Sequence, residues 1–153
     1  MPFISMQESA FEALLEDFIR KYESDGWELK TANGSKYGYN ARRMLDQTLN
    51  GEIVFANYFI SRDPVFRVPV LSSLFFKETG QRLTFDELMS LIPRDLDRSS
   101  ISEREHELTG TPVFYIHPCK TAEFIQPFVD SGANYLNVWM VSYGPVFFYR
   151  LPF

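Results

Sequence analysis

Three side chains able to do proton or nucleophile chemistry crowd into the stretch YIHPCKT, Tyr115 to Thr121: His117, Cys119 and Lys120. Cys119 is the only cysteine in the chain, and the one other histidine is His106. A lone cysteine is commonly a small, buried, inert hydrophobe, so its neighbours decide whether a second reading is worth holding. Pro118 stiffens the residue before it, and Thr121 suits the N-cap of a helix beginning near Ala122. The sulfur is therefore expected at a strand-to-helix corner beside a helix N-terminus. Such corners, with Lys120 adjacent, favour the nucleophilic thiolate. His117, two residues away on a bend, is poorly placed as the base of a Cys–His pair, which draws its histidine from elsewhere in the fold. His106 lies in a charged stretch and reads as a solvated or locally hydrogen-bonded residue. A cysteine protease is disfavoured on both counts. A thiol that carries an acyl group as a thioester and gives it to an amine needs no strong base. It needs a reachable sulfur, donors for the oxyanion, and groups that aim and partly desolvate a lysine.

Composition narrows the setting. The chain has 153 residues, 45% of them hydrophobic, which suits one domain over residues 1–153 that buries roughly 68–70% of its unfolded surface. One cysteine forbids an internal disulfide and points to a reducing compartment, the cytosol or the nucleus, with a cytoplasmic location the expectation. One cysteine and two histidines fall short of a closed zinc shell without carboxylates, so neither metal nor cofactor is expected. The acidic residues in MPFISMQESAFEALLEDF argue against a signal peptide. No apolar run approaches the ~20 residues that cross a bilayer. A formal net charge of −5 disfavours nucleic acid, whose binding relies on neutralised phosphates. Aromatic residues make up 16% of the chain, enough to build a core or an interface.

The elements that must hold the thiol can be read in order. Phe11, Leu14, Leu15, Phe18, Ile19 and Tyr22 recur on one helix face, with Ser5 and Glu8 spaced as a capping box. Strands follow over Trp27 to Ala32, from Lys36 to about Leu49, and over Ile53 to Ile60. Asn33-Gly34 and Asn50-Gly51 read as hairpin turns between them. Alternation from Phe66 to Phe76 predicts a fourth strand, with Pro69 requiring an edge or a bulge. Thr84 and Glu87 form a second capping box, with Leu83 and Leu88 as its hydrophobic staple, on a helix from Phe85 to Leu91. PRDLDRSSISEREHELTGTP reads as a long surface loop. Val113 to Ile116 is a short strand delivering the chain to His117. Helices follow over Ala122 to Val129, bent near Pro127, and over Tyr135 to Tyr143, stopping at Gly144-Pro145. The sum is an α+β domain: N-terminal helix, four-stranded antiparallel meander, cysteine loop, C-terminal helices.

FYIHPCKTAEFI, followed by NYLNVWMVSYGPVF and preceded by FRVPVLSSLFFKETGQRLTFDEL, resembles the autophagy-related protein 10 family of ubiquitin-like-conjugating enzymes. The match runs from about Phe66 to Phe147 and rests chiefly on His-Pro-Cys-x-Thr. The resemblance implies a ubiquitin-conjugating-type core with a modified hairpin. Cys119 would receive the C-terminal glycine of autophagy-related protein 12 from an activating enzyme, autophagy-related protein 7, and pass it to a lysine of autophagy-related protein 5. Ordinary ubiquitin-conjugating enzymes place His-Pro-Asn several residues before the cysteine, whereas His-Pro here runs straight into Cys119. With that asparagine missing, His117 and the backbone N–H groups just after Cys119 are the expected oxyanion and lysine-positioning groups. A structural hydrogen bond fixing the bend is the other reading of His117. The resemblance also implies direct binding of the protein target by the meander, with Phe66, Tyr58 and Phe59 as candidate anchors and Phe66 pointing toward the active-site side. Two alternatives stay open. One is the sister branch, autophagy-related protein 3, which transfers its modifier to phosphatidylethanolamine but is roughly twice this length; the other is an inactive adaptor that only binds a ubiquitin-fold partner.

Overall fold

The structure is a computed structural model that describes residues 7–45, 52–93, 98–129 and 134–152. Helix α1 (Glu8–Tyr22) leads through a 3-10 turn (Glu23–Asp25) into β1 (Glu28–Ala32), β2 (Ser35–Leu45), β3 (Ile53–Arg62) and β4 (Pro69–Lys77). Then come α2 (Phe85–Leu91), β5 (Ile101–Glu105), β6 (Pro112–Ile116), a 3-10 turn (Pro118–Lys120), α3 (Thr121–Val129), α4 (Leu136–Tyr143) and a last 3-10 turn (Gly144–Phe147).

The apolar stripe of α1 docks as its spacing predicts: Phe11, Leu15, Phe18 and Ile19 are buried, with Leu14 and Tyr22 packed at the margin. Ser5, the expected cap, lies outside the described residues; the residue before the helix is Gln7, whose side chain makes no capping bond. The first hairpin turns at Asn33 and Gly34, with φ of 51° and 79°, the left-handed pair that a two-residue turn between twisted strands requires. Asn50-Gly51 falls outside the described residues. At α2 both capping-box bonds form, each 3.1 Å, between Thr84 and Glu87, and Leu83 and Leu88 are buried beside them.

Among the described residues the sheet has six strands in the order β1-β2-β3-β4-β6-β5, every pair antiparallel. The expected meander is present as β1–β4, but the expected long loop contains β5. Ile101 is buried at its start, after which half-buried Ser102 and Arg104 alternate with exposed Glu103 and Glu105. Charges are normal on an edge strand, where they discourage pairing with other chains, so polarity alone concealed it. The fourth strand also differs. Pro69 is the first residue of β4, opposite Arg62, so an interior strand accommodates it without an edge or a bulge. Phe66 precedes that strand, in a turn over residues 63–67 that closes with Arg67 N–H donating to Asp63 O (2.8 Å) and Asp63 N–H to Val68 O (2.9 Å).

Helices cover one face of the sheet. Phe11, Phe18, Trp27, Tyr58, Phe75, Phe114, Trp139 and Phe147 belong to that core. A smaller cluster of Tyr37, Phe59 and Val113 lies on the opposite face, under Leu108 of the β5–β6 turn. Asn33 Nδ2 donates to Leu108 O (2.9 Å), joining that turn to the β1–β2 hairpin. His106 enters this second cluster with only 2% of its surface exposed. Its Nδ1 accepts N–H bonds from Leu108 (3.2 Å) and Thr109 (3.3 Å), and its ring lies 5.0 Å from Phe59 and 5.8 Å from Tyr37. It is locally hydrogen-bonded, as one reading expected, but buried rather than solvated. Burial holds its pKa below the ordinary histidine value.

The C-terminal segment is locked by polar groups inside the core. Tyr149 OH donates to Asp25 Oδ2 (2.5 Å) and accepts from Trp27 Nε1 (2.8 Å). Asp25 also pairs with Arg42 at 2.9 Å. Helix α4 ends at Tyr143, as expected, and Gly144, with right-handed dihedrals (−53°, −44°), leads directly into the last 3-10 turn. A Cβ there would stand 2.7 Å from the Tyr149 carbonyl oxygen, so the residue is small because the returning chain crosses against it.

Two predictions follow from these buried groups. Tyr149→Phe strands the Trp27 N–H without an acceptor, and urea unfolding should report a loss of about 1–3 kcal/mol. His106 binds fewer protons folded than unfolded, so its contribution is intact above 6.5, the ordinary value, and falls as pH drops below that value toward the folded one. His106→Gln, which cannot titrate, should show a flatter decline in urea midpoint than the wild type as pH is lowered; equal slopes would rule out His106 as a source.

Candidate active site

The thiol is positioned by the way β6 ends. Beyond its last residue, His117 N–H donates to Ser100 O (2.8 Å), continuing the β5–β6 ladder by one pair. Pro118 has no N–H to extend it, and the chain turns into the short 3-10 segment that carries Cys119. His117 takes the N-cap position with φ −59° and ψ 129°, and its Nδ1 accepts the Cys119 N–H at 3.1 Å. Cys119 is exposed. The expected strand-to-helix corner is therefore present, but its cap is His117. Thr121, expected in that role, has right-handed helical dihedrals (−64°, −40°) and is buried, because the 3-10 turn runs directly into α3 and leaves no N-cap position at residue 121.

The Cys119 bond also fixes the tautomer of a neutral His117. With Nδ1 accepting, the ring proton sits on Nε2. The half-buried ring has an aromatic neighbour from each of two elements: Phe66 at 5.5 Å, nearly edge-on at 74°, and Tyr115 at 6.3 Å and 37°. Phe66 is 40% exposed and Val65 beside it 79%. They sit on the β3–β4 turn because the Asp63 carboxylate accepts the N–H groups of Val65 (3.0 Å) and Phe66 (2.7 Å).

Of the aromatic residues singled out as anchors, Phe66 alone is exposed. Tyr58 is fully buried, its hydroxyl donating to Phe147 O (2.7 Å). Phe59 is 5% exposed and packs on Tyr39 and His106. Neither offers a side chain to a partner, which corrects the expectation for both. The physical reason is two-sided cover: helices lie over one face of β3 and the β5–β6 turn over the other, so alternation leaves neither position facing solvent. Sequence reasoning also passed over Tyr115, Arg104 and Asp63. The Arg104 guanidinium lies 4.0 Å over the Tyr115 ring and reaches Asp63 (3.5 Å) and Glu107 (3.3 Å). Two-residue spacing puts Tyr115 on the side of His117 and was available as a signal. The Asp63–Arg104 pair spans 41 positions and left none.

An antiparallel sheet covered by helices on one face, with a reachable thiol at the exit of an interior strand, defines an α+β fold shared with a solved structure described as the autophagic E2, Atg10. The two agree with a TM-score of 0.68 over 95% of this chain and 99% of that one, at 12% identity. The chain belongs to the family described as autophagocytosis associated protein, active-site domain, which matches residues 10–152. Similar relatives are the ubiquitin-like-conjugating enzymes ATG10 of Homo sapiens and of Gibberella zeae. The first is 28% identical over 127 residues, 71% of this chain and 56% of the relative. The second is 30% identical over 108 residues, 63% of this chain and 46% of the relative. The chain thus spans about half the length of these curated relatives.

The His117–Cys119 bond yields a direct prediction. His117→Ala removes the acceptor, worth about 0.5–1.5 kcal/mol, and Cys119 amide hydrogen exchange should quicken by up to roughly tenfold while β3 amides keep their protection. His117→Asn, whose side-chain oxygen is a good N-cap, should recover most of the difference. An unchanged Cys119 amide in the alanine variant would contradict the bond.

Proposed function

We propose that this chain is a ubiquitin-like-conjugating enzyme that carries a modifier as a thioester on Cys119 and transfers it to a protein lysine. The observation that carries the reading is the exposed thiol on a turn capped by His117, within the active-site domain of this family. In loading, the Cys119 sulfur attacks the C-terminal glycyl carbonyl held on the activating enzyme's cysteine; the new C–S bond forms as the old one breaks and that cysteine leaves. In transfer, a neutral lysine amine attacks the same carbonyl, the C–N bond forms, the Cys119 sulfur leaves as thiolate, and the excess amine proton passes to solvent. Free lysine is almost wholly protonated at neutral pH, its pKa being about 10.4, so aiming and desolvating it supplies much of the rate. His117 Nε2–H and the Lys120 backbone N–H are the donors in this reading, the Thr121 N–H being committed to the Pro118 carbonyl. The Cys119 N–H itself is committed to His117.

By the family resemblance, autophagy-related protein 12 is the modifier, autophagy-related protein 7 the activating enzyme and autophagy-related protein 5 the acceptor, in the cytoplasm. Phe66, exposed beside His117, is the aromatic contact that this reading gives to the acceptor. The test is to charge the purified protein with activating enzyme, ATP and modifier. Wild type should form an adduct released by thiols, and Cys119→Ser should give a thiol-resistant oxyester or nothing. Normal conjugation by Cys119→Ser would overturn the reading, and a thiol that never loads would favour an adaptor.

A further inference from the structure

We propose that Asp63 is a positioning residue for the active site: one buried carboxylate sets both aromatic neighbours of His117. It rests on the reading of Cys119 as thioester carrier and adds to it a residue that touches neither cysteine nor substrate.

Asp63 is 3% exposed, and its two oxygens do different work. Oδ2 accepts the N–H groups of Val65 and Phe66 at 3.0 and 2.7 Å, an arrangement that turns the backbone and holds Phe66 where its ring meets His117. Oδ1 pairs with Arg104 at 3.5 Å. Arg104 in turn lies over Tyr115, the second ring beside His117. Arg104 is held on its other side by Glu107, whose Oε1 accepts the Ser61 hydroxyl at 2.5 Å. One cation thus stands between two carboxylates, and the aromatic ring it covers is fixed from the rear.

Imidazole orientation matters here because Nδ1 must face the Cys119 N–H. A ring free to turn about its side-chain torsions would exchange that bond for solvent and release the thiol turn. Phe66 and Tyr115 oppose such rotation by contact, and Asp63 is the group that places Phe66 directly and Tyr115 through Arg104. A displacement of about 1 Å in a reacting group can cost roughly a hundredfold in rate, so control of this ring bears on transfer itself.

The experiment uses the full chain, loaded with modifier by the activating enzyme and then mixed with free lysine. Free lysine makes no protein contact, so any loss of acceptor docking at Phe66 drops out. Discharge is followed per loaded molecule, alongside the ring-proton NMR signals of His117, which sense the currents of both aromatic neighbours. Asp63→Ala should slow discharge about tenfold or more and move the His117 signals toward those of a free histidine. Asp63→Asn keeps an acceptor oxygen for Val65 and Phe66 but loses the ion pair, and should slow discharge only about two- to threefold. A role confined to stability would lower the melting temperature and leave both readouts unchanged in folded protein. Should the alanine variant not fold, Asp63→Asn and Arg104→Gln carry the test, each expected to shift His117 in the same direction. Wild-type discharge and wild-type His117 signals in the folded variants would overturn the proposal. Failure of the wild type to load would overturn the thioester reading instead, while the His117 signals would still decide the role of Asp63.

Discussion

The five residues of β6 are held on both sides, by β4 at Ser72 and Ser73 and by β5 along its whole length. That double anchoring fixes the point at which the chain leaves the sheet. Because His117 still pairs with Ser100 while Pro118 has no N–H to donate to the ladder, the strand ends abruptly there. The short helical turn that follows inherits its direction from the strand, and Cys119 inherits its position from the turn. Buried Phe114 and Ile116 secure β6 to the helical core. The turn that carries Cys119 is thus anchored to an interior strand.

The polar groups near the site are treated in two ways. Tyr149, Asp25, Trp27 and Arg42, brought together from distant parts of the chain, form a largely buried network in which the Tyr149 hydroxyl takes the Trp27 N–H and the Asp25 carboxylate serves both Tyr149 and Arg42. Asp63, Arg104 and Glu107 use similar chemistry near the surface, but the rings they support face the histidine that caps the thiol turn. The first arrangement stabilises the join between the two ends of the domain. The second, in the role proposed for Asp63, turns a buried carboxylate to orienting two aromatic rings.

Local signals were legible where one residue type has one local use. Asn33-Gly34 announces positive φ, Thr84 and Glu87 announce a helix start, and the stripe from Phe11 to Tyr22 announces a buried face; all three appear as read. The departures arise where tertiary context reassigns a local preference. Thr121 is a good cap in isolation, but the chain is already helical when it arrives there, and the imidazole before Pro118 takes the role. β5 resembles a loop because three of its five side chains are charged, and only pairing with β6 makes it a strand. Tyr58 and Phe59 occupy opposite faces of β3, as alternation demands, yet both faces are roofed. Cys119 and His117 could be singled out together because His-Pro-Cys is contiguous, whereas Phe66 was singled out through the family resemblance and read as the start of a strand, where the structure has a turn. Asp63, Arg104 and Tyr115 meet only after two strands have crossed the sheet between them.

Six strands spaced about 4.8 Å apart would separate the outermost pair by roughly 24 Å in a flat sheet. Yet Asn33, at the end of β1, donates a hydrogen bond to Leu108, just past the end of β5. The β5–β6 turn therefore reaches across the face opposite the helices to the β1–β2 hairpin, over Tyr37, Phe59 and Val113. A side chain some eighty residues upstream of the thiol thus closes a ring through the sheet, tying the hairpin at one margin to the turn that leads into the strand ending beside Cys119.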